Sequence, residues 1–472
     1  MHYLAGSWTK SEATLAVTNP FDGSLVGEVY CADAGAFTAA IGAAYAARQD
    51  CARMPTFERT RILCHVADGI EREAEKFAQM ITWESGRAIR DTRGEVGRAV
   101  FTFRTAAEEC RRLESEFLDL DWLPGMERRY ALVRRFPIGV VGAITPFNFP
   151  LNLVAHKVAP AIAAGCPVVL KPSSKTPIVA LMLTRLLDEA GLPNGAISVL
   201  PAPSRETSPL VTDERVKLLT FTGSPDVGWE LKRRAGRKRV ALELGGNAGC
   251  IVHTDADLAW AVKRVTYGAF AQAGQSCISV QRVLVHEQIQ EAFTSALVDA
   301  ARALKLGDPS KETTDLGPVV DDEAAARIEG WIVEAVTAGA VVLTGGGRKG
   351  RLVEPTILAG VRPDLSICAR EAFAPVVVLE GYSSFDLAVE RVDDSRFGLQ
   401  AGVFTNDMRL VHKAFRCLDV GGVIVNDVPT FRTDQMPYGG AKDSGTGREG
   451  PRYAIEEMTE RKLLVLNLSA GV

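Results

Sequence analysis

The chain has 472 residues, is 47% hydrophobic and 24% charged, and carries a formal net charge of −4. It is long enough for two domains, its charge excludes nucleic acid as a general partner, and no apolar run approaches the ~20 residues that cross a bilayer. The odd count of nine cysteines, with no C-x-x-C, argues against a disulfide framework and a zinc knuckle, so no metal is expected. The opening "MHYLAGSWTK" lacks a charged-then-apolar leader, and a cytoplasmic location is expected.

Residues 33–118 read as mostly helical. In "DTRGEVGRAVFTFRTAAEECRRL", Val96, Ala99, Val100, Phe103, Ala107 and Cys110 recur at three- and four-residue spacing and predict a core stripe, with Arg98 and Thr102 pointing elsewhere. From residue 131 short β-rich runs alternate with helical stretches: "ALVRRFPIGVVGAIT", "PVVLKPS", "AISVL", "VKLLTFTGS" and "KRVALELGG". Apolar strands separated by helices predict an α/β fold with a parallel sheet covered on both faces. The alternation resumes after residue 277 with "RVLVHE", "AVVLTGG", "APVVVLEGY", "AGVFTN" and "GGVIVND", which predicts a second α/β domain joined near "LELGGN". The final run, "RKLLVLNL", is a terminal strand that needs a sheet to join, and a partner subunit is one candidate.

Five segments carry chemistry. "AGQSCISVQR" sets Cys277 behind Gly274, Gln275 and Ser276, where small and polar neighbours leave a sulfur accessible. "AITPFNFP" holds Asn148 between Phe147 and Phe149 and two prolines, a rigid setting that can aim an amide at a developing oxyanion. "RVALELGGN" buries Glu243 in an apolar strand, where its pKa would rise toward that of a general base. "VVLKPSSKTP" and "TFTGSPDVG" end strands at Lys171 and at Gly223–Ser224, where doubly wound sheets bind ligands. Singly, each segment fits a turn, a solvated strand end or a structural ion pair as well. Together they fit thiol attack on an aldehyde, hydride loss to a nicotinamide, and hydrolysis of a thioester.

The ordered pieces "NPFDGSLVGEV", "PFNFP", "LKPS", "FTGSPDVG", "LELGGN", "GQSC", "EAFAPVV" and "MPYGGAKDSGTGREG" resemble the NAD(P)-dependent aldehyde dehydrogenase superfamily over nearly the whole chain. Within it the chain looks closest to the lactaldehyde, succinate-semialdehyde and phosphonoacetaldehyde type. The resemblance implies a Rossmann-like cofactor domain (residues 1–118 and 139–244), a catalytic domain (245–440) and a small β oligomerisation arm (119–138 and 441–472). It makes Cys277 the nucleophile, Glu243 the base and Asn148 the oxyanion donor. It assigns Thr145, Pro146, Phe147, Lys171, Ser174, Lys175, Gly223, Ser224, Leu244, Gly245, Glu371 and Phe373 to the cofactor. Ser174 stands where many NAD-preferring members carry a glutamate. With Lys175 beside it, NADP is expected to be tolerated alongside NAD. Arg98, His156 and Arg432 fall on tunnel-lining segments, so a small aldehyde with an anionic tail is expected. A homodimer or homotetramer is expected too, with neither nucleic acid nor membrane as a partner. The rivals are a CoA-acylating semialdehyde dehydrogenase, against which Glu243 argues, and a non-catalytic structural or binding protein, against which Cys277 and Glu243 both argue.

Overall fold

The computed structural model describes residues 1–468. Four helices occupy the predicted helical region: Ala34–Arg53, Thr56–Arg72, Ala74–Ser85 and Ile89–Arg111. Asp33 caps the first by accepting from the Ala36 N–H at 2.7 Å, the usual device for an unpaired helix N-terminus. On the fourth, all six residues of the predicted stripe are buried. Thr102 is buried as well, contrary to expectation, and its hydroxyl donates to Asn152 Oδ1 at 3.0 Å. This helix packs against Thr56–Arg72 on one side and against Asn152–Ala164 on another, so one apolar stripe understates its buried surface.

The first sheet has eight strands. Its core runs Ile197–Val199, Val168–Lys171, Val140–Ile144, Val216–Thr222 and Arg239–Glu243, all parallel. The strand order reverses beside Val140–Ile144, because the chain first builds outward to Ile197–Val199 and then returns to lay Val216–Thr222 on the other side. A crevice opens at the carboxyl ends of the strands at such a point. The loop carrying Asn148 and the turn at Gly223–Ser224 both leave from there.

The second sheet has seven strands, six of them parallel: Thr356–Ala359, Val376–Tyr382, Arg282–His286, Gly249–Val252, Gln400–Phe404 and Gly422–Val425. Val341–Thr344 joins one edge antiparallel. Both sheets are buried on two faces, which explains why their strands read as continuous apolar runs.

A third, three-stranded sheet stands apart: Glu116–Asp119, Arg129–Pro137 and Thr459–Asn467. The segment 441–472, expected to belong wholly to the arm, is divided. Gly445–Thr446 pairs with the edge strand Arg239–Glu243 of the first sheet, and helix Pro451–Glu457 packs on Asn152–Ala164. Only Thr459–Asn467 reaches the arm sheet. Glu449, on the same segment, is buried against Lys157 and Arg432.

Candidate active site

The sulfur of Cys277 owes its place to a strained turn. Helix Leu258–Phe270 ends, and Gln272, Ala273 and Gly274 then take φ of 58°, 53° and 68° in succession. Left-handed backbone costs non-glycine residues on the order of 1–2 kcal/mol each, so surrounding contacts must hold it. Val320 N–H donates to Gln275 Oε1 at 2.9 Å, and Asn148 Nδ2 donates to Gln275 O at 3.1 Å. Gly274 must be glycine, because a Cβ there would collide with the backbone of Ala374. The turn thereby presents half-buried Cys277 to a cavity of about 730 Å³. Removal from bulk water pushes its thiol pKa up to about 12, and the Tyr438 hydroxyl, hydrogen-bonded to the sulfur, pulls the other way.

Asn148, Glu243 and Cys277 line this one cavity. Arg87 steadies the Asn148 loop by donating to Asn148 O at 3.0 Å, and Arg87 is itself paired with buried Glu95. Glu95 also accepts from the Leu151 and Asn152 N–H groups at 2.8 and 3.0 Å. The Asn148 amide has two N–H bonds, and Gln275 takes one, which leaves the other for a ligand. Glu243 ends its strand buried, with no hydrogen-bond partner for Oε2 among the described residues. Burial, reinforced by the nearby Glu449 carboxylate, raises its pKa well above the usual carboxylate range. Glu449 stays ionised despite burial because Lys157 and Arg432 face it.

The cofactor-side residues gather where the first sheet reverses. Thr145, Pro146 and Phe147 follow Val140–Ile144; Thr145 N–H donates to Lys171 O at 3.2 Å, and its hydroxyl has no partner among the described residues. Gly223 and Ser224 precede helix Pro225–Arg234, whose first turn has no side-chain cap and so leaves N–H groups free for an anion. Leu244 and Gly245 are fixed by Ser444, which accepts from the Leu244 N–H at 2.9 Å through its backbone and donates to Gly245 O at 2.8 Å through its hydroxyl. Gly245 makes room for Glu371, whose carboxylate a Cβ would strike. Burial raises the Glu371 pKa to about 7. Phe373 takes φ of 48° and sets its ring edge-on to Phe147, centroids 5.9 Å apart. Gln281 holds this loop, donating to Arg370 O at 2.6 Å and accepting from the Ala372 N–H at 2.9 Å.

Lys171 lines a neighbouring cavity of about 490 Å³ with Ile144, Phe221, Val227, Leu231, Arg205 and Arg234. Asp226 and Glu230 line it too, so its three cations exceed its carboxylates by one, and apolar walls with a positive excess suit a flat base carrying a phosphorylated sugar. Burial lowers the Lys171 pKa to about 8. Ser174 is half-buried beyond this cavity. Lys175, expected among the cofactor residues, pairs with Asp321 at 3.0 Å, which caps helix Asp322–Thr337. Arg205 and Arg234 are the arginines that line the Lys171 cavity, and no sequence motif marks them.

The three basic residues expected to read a substrate tail are brought together, with one correction. Arg98 and Arg432 line the main cavity; His156 is fully buried behind it. Its Nε2 lies 2.8 Å from Asp434 Oδ1 and 3.2 Å from Arg432 Nη2. Burial, and then Arg432, lower its pKa, so it is neutral where a tail-binding cation was expected. The sequence reading missed Asp434. This buried carboxylate accepts from Arg98 Nε and Nη2 at 3.0 and 2.8 Å and from Asn152 Nδ2 at 3.0 Å. It thus fixes the guanidinium plane of Arg98 and leaves Nη1 for a ligand. Arg432 donates through Nη2 to Glu449 at 2.9 Å, and its Nε has no hydrogen-bond partner among the described residues.

Residues 8–464 match the family model described as "Aldehyde dehydrogenase family". The chain is 44% identical to 3-sulfolactaldehyde dehydrogenase of Priestia aryabhattai, covering 99% of this chain and 98% of that one. Its fold superposes on aldehyde dehydrogenase 21 from Physcomitrella patens, solved in complex with the reaction product succinate, at TM-score 0.98 and 45% identity, over 100% and 98% of the two chains. It also superposes on glyceraldehyde-3-phosphate dehydrogenase GapN from Methanocaldococcus jannaschii, complexed with NADP, at TM-score 0.93 and 37% identity, over 96% and 99%.

Proposed function

Because the chain belongs to the aldehyde dehydrogenase family, we propose that it oxidises a short aldehyde bearing an anionic tail to the carboxylate, through a thioester on Cys277. The observation that carries the tail assignment is the pair Arg98 and Arg432, on the cavity that holds Cys277, Asn148 and Glu243. Each guanidinium is anchored on a buried carboxylate, Asp434 or Glu449, so the two are held in place before a ligand arrives. A preorganised arginine pair suits a carboxylate, sulfonate or phosphate. The names of the three relatives above each imply an anionic substrate or product for that protein.

In this reading the sulfur attacks the carbonyl carbon, and charge builds on the carbonyl oxygen. The second Asn148 N–H and the Cys277 backbone N–H receive it, with no reorganisation needed at that moment. A nicotinamide dinucleotide, when bound, accepts the hydride. The residues that would hold it fit: an apolar slot beside Lys171, Arg205 and Arg234, free N–H groups at the start of helix Pro225–Arg234, and a ribose-facing carboxylate at Glu371. Arg205 and Arg234 add positive charge near Lys171, so NADP is expected to serve at least as well as NAD. Glu243, once deprotonated, takes a proton from water, which then cleaves the thioester. We further place the enzyme in the cytoplasm, where nine free cysteines stay reduced, and as a homo-oligomer built through the arm sheet.

A matched pair of aldehydes, one anionic and one neutral and of equal length, tests this, assayed with NAD and with NADP. The expected preference is for the anionic member. Arg432→Ala or Arg98→Ala should narrow the kcat/KM ratio by roughly one to three decades, as expected when one side of a desolvated charge pair is truncated. Equal losses on both aldehydes would show that the arginines serve only the cavity's shape.

A further inference from the structure

The Tyr438 hydroxyl lies 3.0 Å from the Cys277 sulfur. The ring is buried and packs with Ile278 and Leu399 beside the nucleophile. A closed loop of contacts holds it there. The Tyr438 N–H donates to Glu449 O at 3.1 Å, and the Glu449 N–H returns to Tyr438 O at 2.6 Å. The Glu449 carboxylate accepts from Arg432 at 2.9 Å. Arg432 then lays its guanidinium over the Tyr438 ring, 3.7 Å from the centroid.

A phenol both donates and accepts, and so does a thiol; a thiolate only accepts. While the sulfur is protonated, the contact is one weak neutral bond. Once it is ionised, the contact becomes a charge-assisted bond, roughly twice as strong. The contact with Tyr438 therefore favours the thiolate over the thiol, against the opposing effect of burial. We infer that Tyr438 is a catalytic residue, whose hydroxyl donates to Cys277 Sγ and stabilises the thiolate before it attacks the aldehyde. The inference rests on the reading of Cys277 as the nucleophile.

The charged groups around the sulfur are consistent with this. Burial opposes ionisation most, and Glu371 and Glu243 add to it, while Tyr438 and Arg432 favour it. Both carboxyl groups are themselves pushed toward their neutral forms, which blunts their opposition. Burial also drives the Tyr438 hydroxyl well above its ordinary pKa, so it keeps the proton it donates at neutral pH. The proton lost on ionisation passes to solvent. When the S–C bond forms, the negative charge moves to the carbonyl oxygen at Asn148, and the Tyr438 contact returns to a neutral one.

Tyr438→Phe keeps the ring and its stacking on Arg432 and removes only the hydroxyl. The measurement is the pH profile of iodoacetamide alkylation of the full-length enzyme, with the adduct mapped to Cys277 by peptide mass spectrometry. The midpoint should rise by about one pH unit and the rate at neutral pH should fall about tenfold, with cofactor binding unchanged. Replacing Tyr438 by 3-fluorotyrosine, a stronger donor of nearly the same shape, should move the midpoint the other way, even if Tyr438→Phe folds poorly. Ultraviolet titration of the thiolate, with Cys277→Ser as the blank, should follow both shifts without depending on reagent access. Superimposable profiles for the natural and fluorinated enzymes would overturn the inference. A Cys277 that is never alkylated in the unmodified enzyme would sink the nucleophile reading and the inference with it.

Discussion

Glu243 and Glu449 illustrate how two carboxylates in one buried site divide their protonation states. Glu449 faces Lys157 at 3.3 Å and Arg432 at 2.9 Å and keeps its charge. Glu243 is buried beside that charge and is held in its neutral form. A neutral carboxyl cannot take a proton from water, so thioester hydrolysis should rise with pH through the raised Glu243 pKa and level off above it. Glu449→Gln removes the negative neighbour and leaves Lys157 and Arg432 uncompensated. Both changes favour ionised Glu243, so the ascending limb of the deacylation rate should move to lower pH. Stopped-flow measurement of the step after the NAD(P)H burst would show this; an unmoved limb would mean that Glu243 is not the titrating base. The same carboxylates cost stability when unmatched. Stranding a buried partner of such a pair typically costs about 3–5 kcal/mol, so Glu449→Gln needs its melting temperature recorded beside its kinetics.

Thr459–Asn467 pairs with Arg129–Pro137 over its whole length on one side only. It is the end strand of its sheet among the described residues, and the run Leu463–Leu464–Val465–Leu466 is exposed on both faces of the strand. Phe117, Trp122 and Leu123 add to this apolar surface, Trp122 at 89% exposure. A lone edge strand of this kind is a template for pairing with another chain. If a second copy of the chain covers it, Leu464→Asp combined with Leu466→Asp should shift the sedimentation profile toward the monomer. An unchanged profile would place the interface elsewhere. The helices show the opposite case. Asn152–Ala164 is buried at all thirteen positions, including His156 and Lys157. Its polar residues are there to pair with Asp434 and Glu449, both about 280–290 positions away in the chain.

At the scale of the whole molecule, what sequence reveals depends on how local its cause is. The two parallel sheets were legible because burial on both faces produces unbroken apolar runs such as "PVVLKPS" and "APVVVLEGY". The principal site residues stood out because each breaks a local rule: a carboxylate in an apolar strand, an asparagine between prolines, a cysteine among small residues. Asp434, Tyr438 and Arg205 break no such rule. Their significance comes only from what the fold sets against them, Arg98 from a helix 336 positions away in one case and Cys277, 161 positions away, in the next. The ion pair of Lys175 escapes the sequence for the same reason, since its partner Asp321 caps helix Asp322–Thr337, far along the chain. The fate of 441–457 likewise hangs on pairing with the first sheet, which no short run of residues encodes.

The most direct measurement on the central claim, a thioester made by Cys277 and cleared by Glu243, is intact-protein and peptide mass spectrometry of Glu243→Gln quenched during turnover of an anionic aldehyde with cofactor. The expected result is an acyl adduct on Cys277 that accumulates as the NAD(P)H burst proceeds and is absent from Cys277→Ala, which should show no burst at all. Hydride transfer in Cys277→Ala, or a burst in Glu243→Gln with no adduct on Cys277, would contradict it.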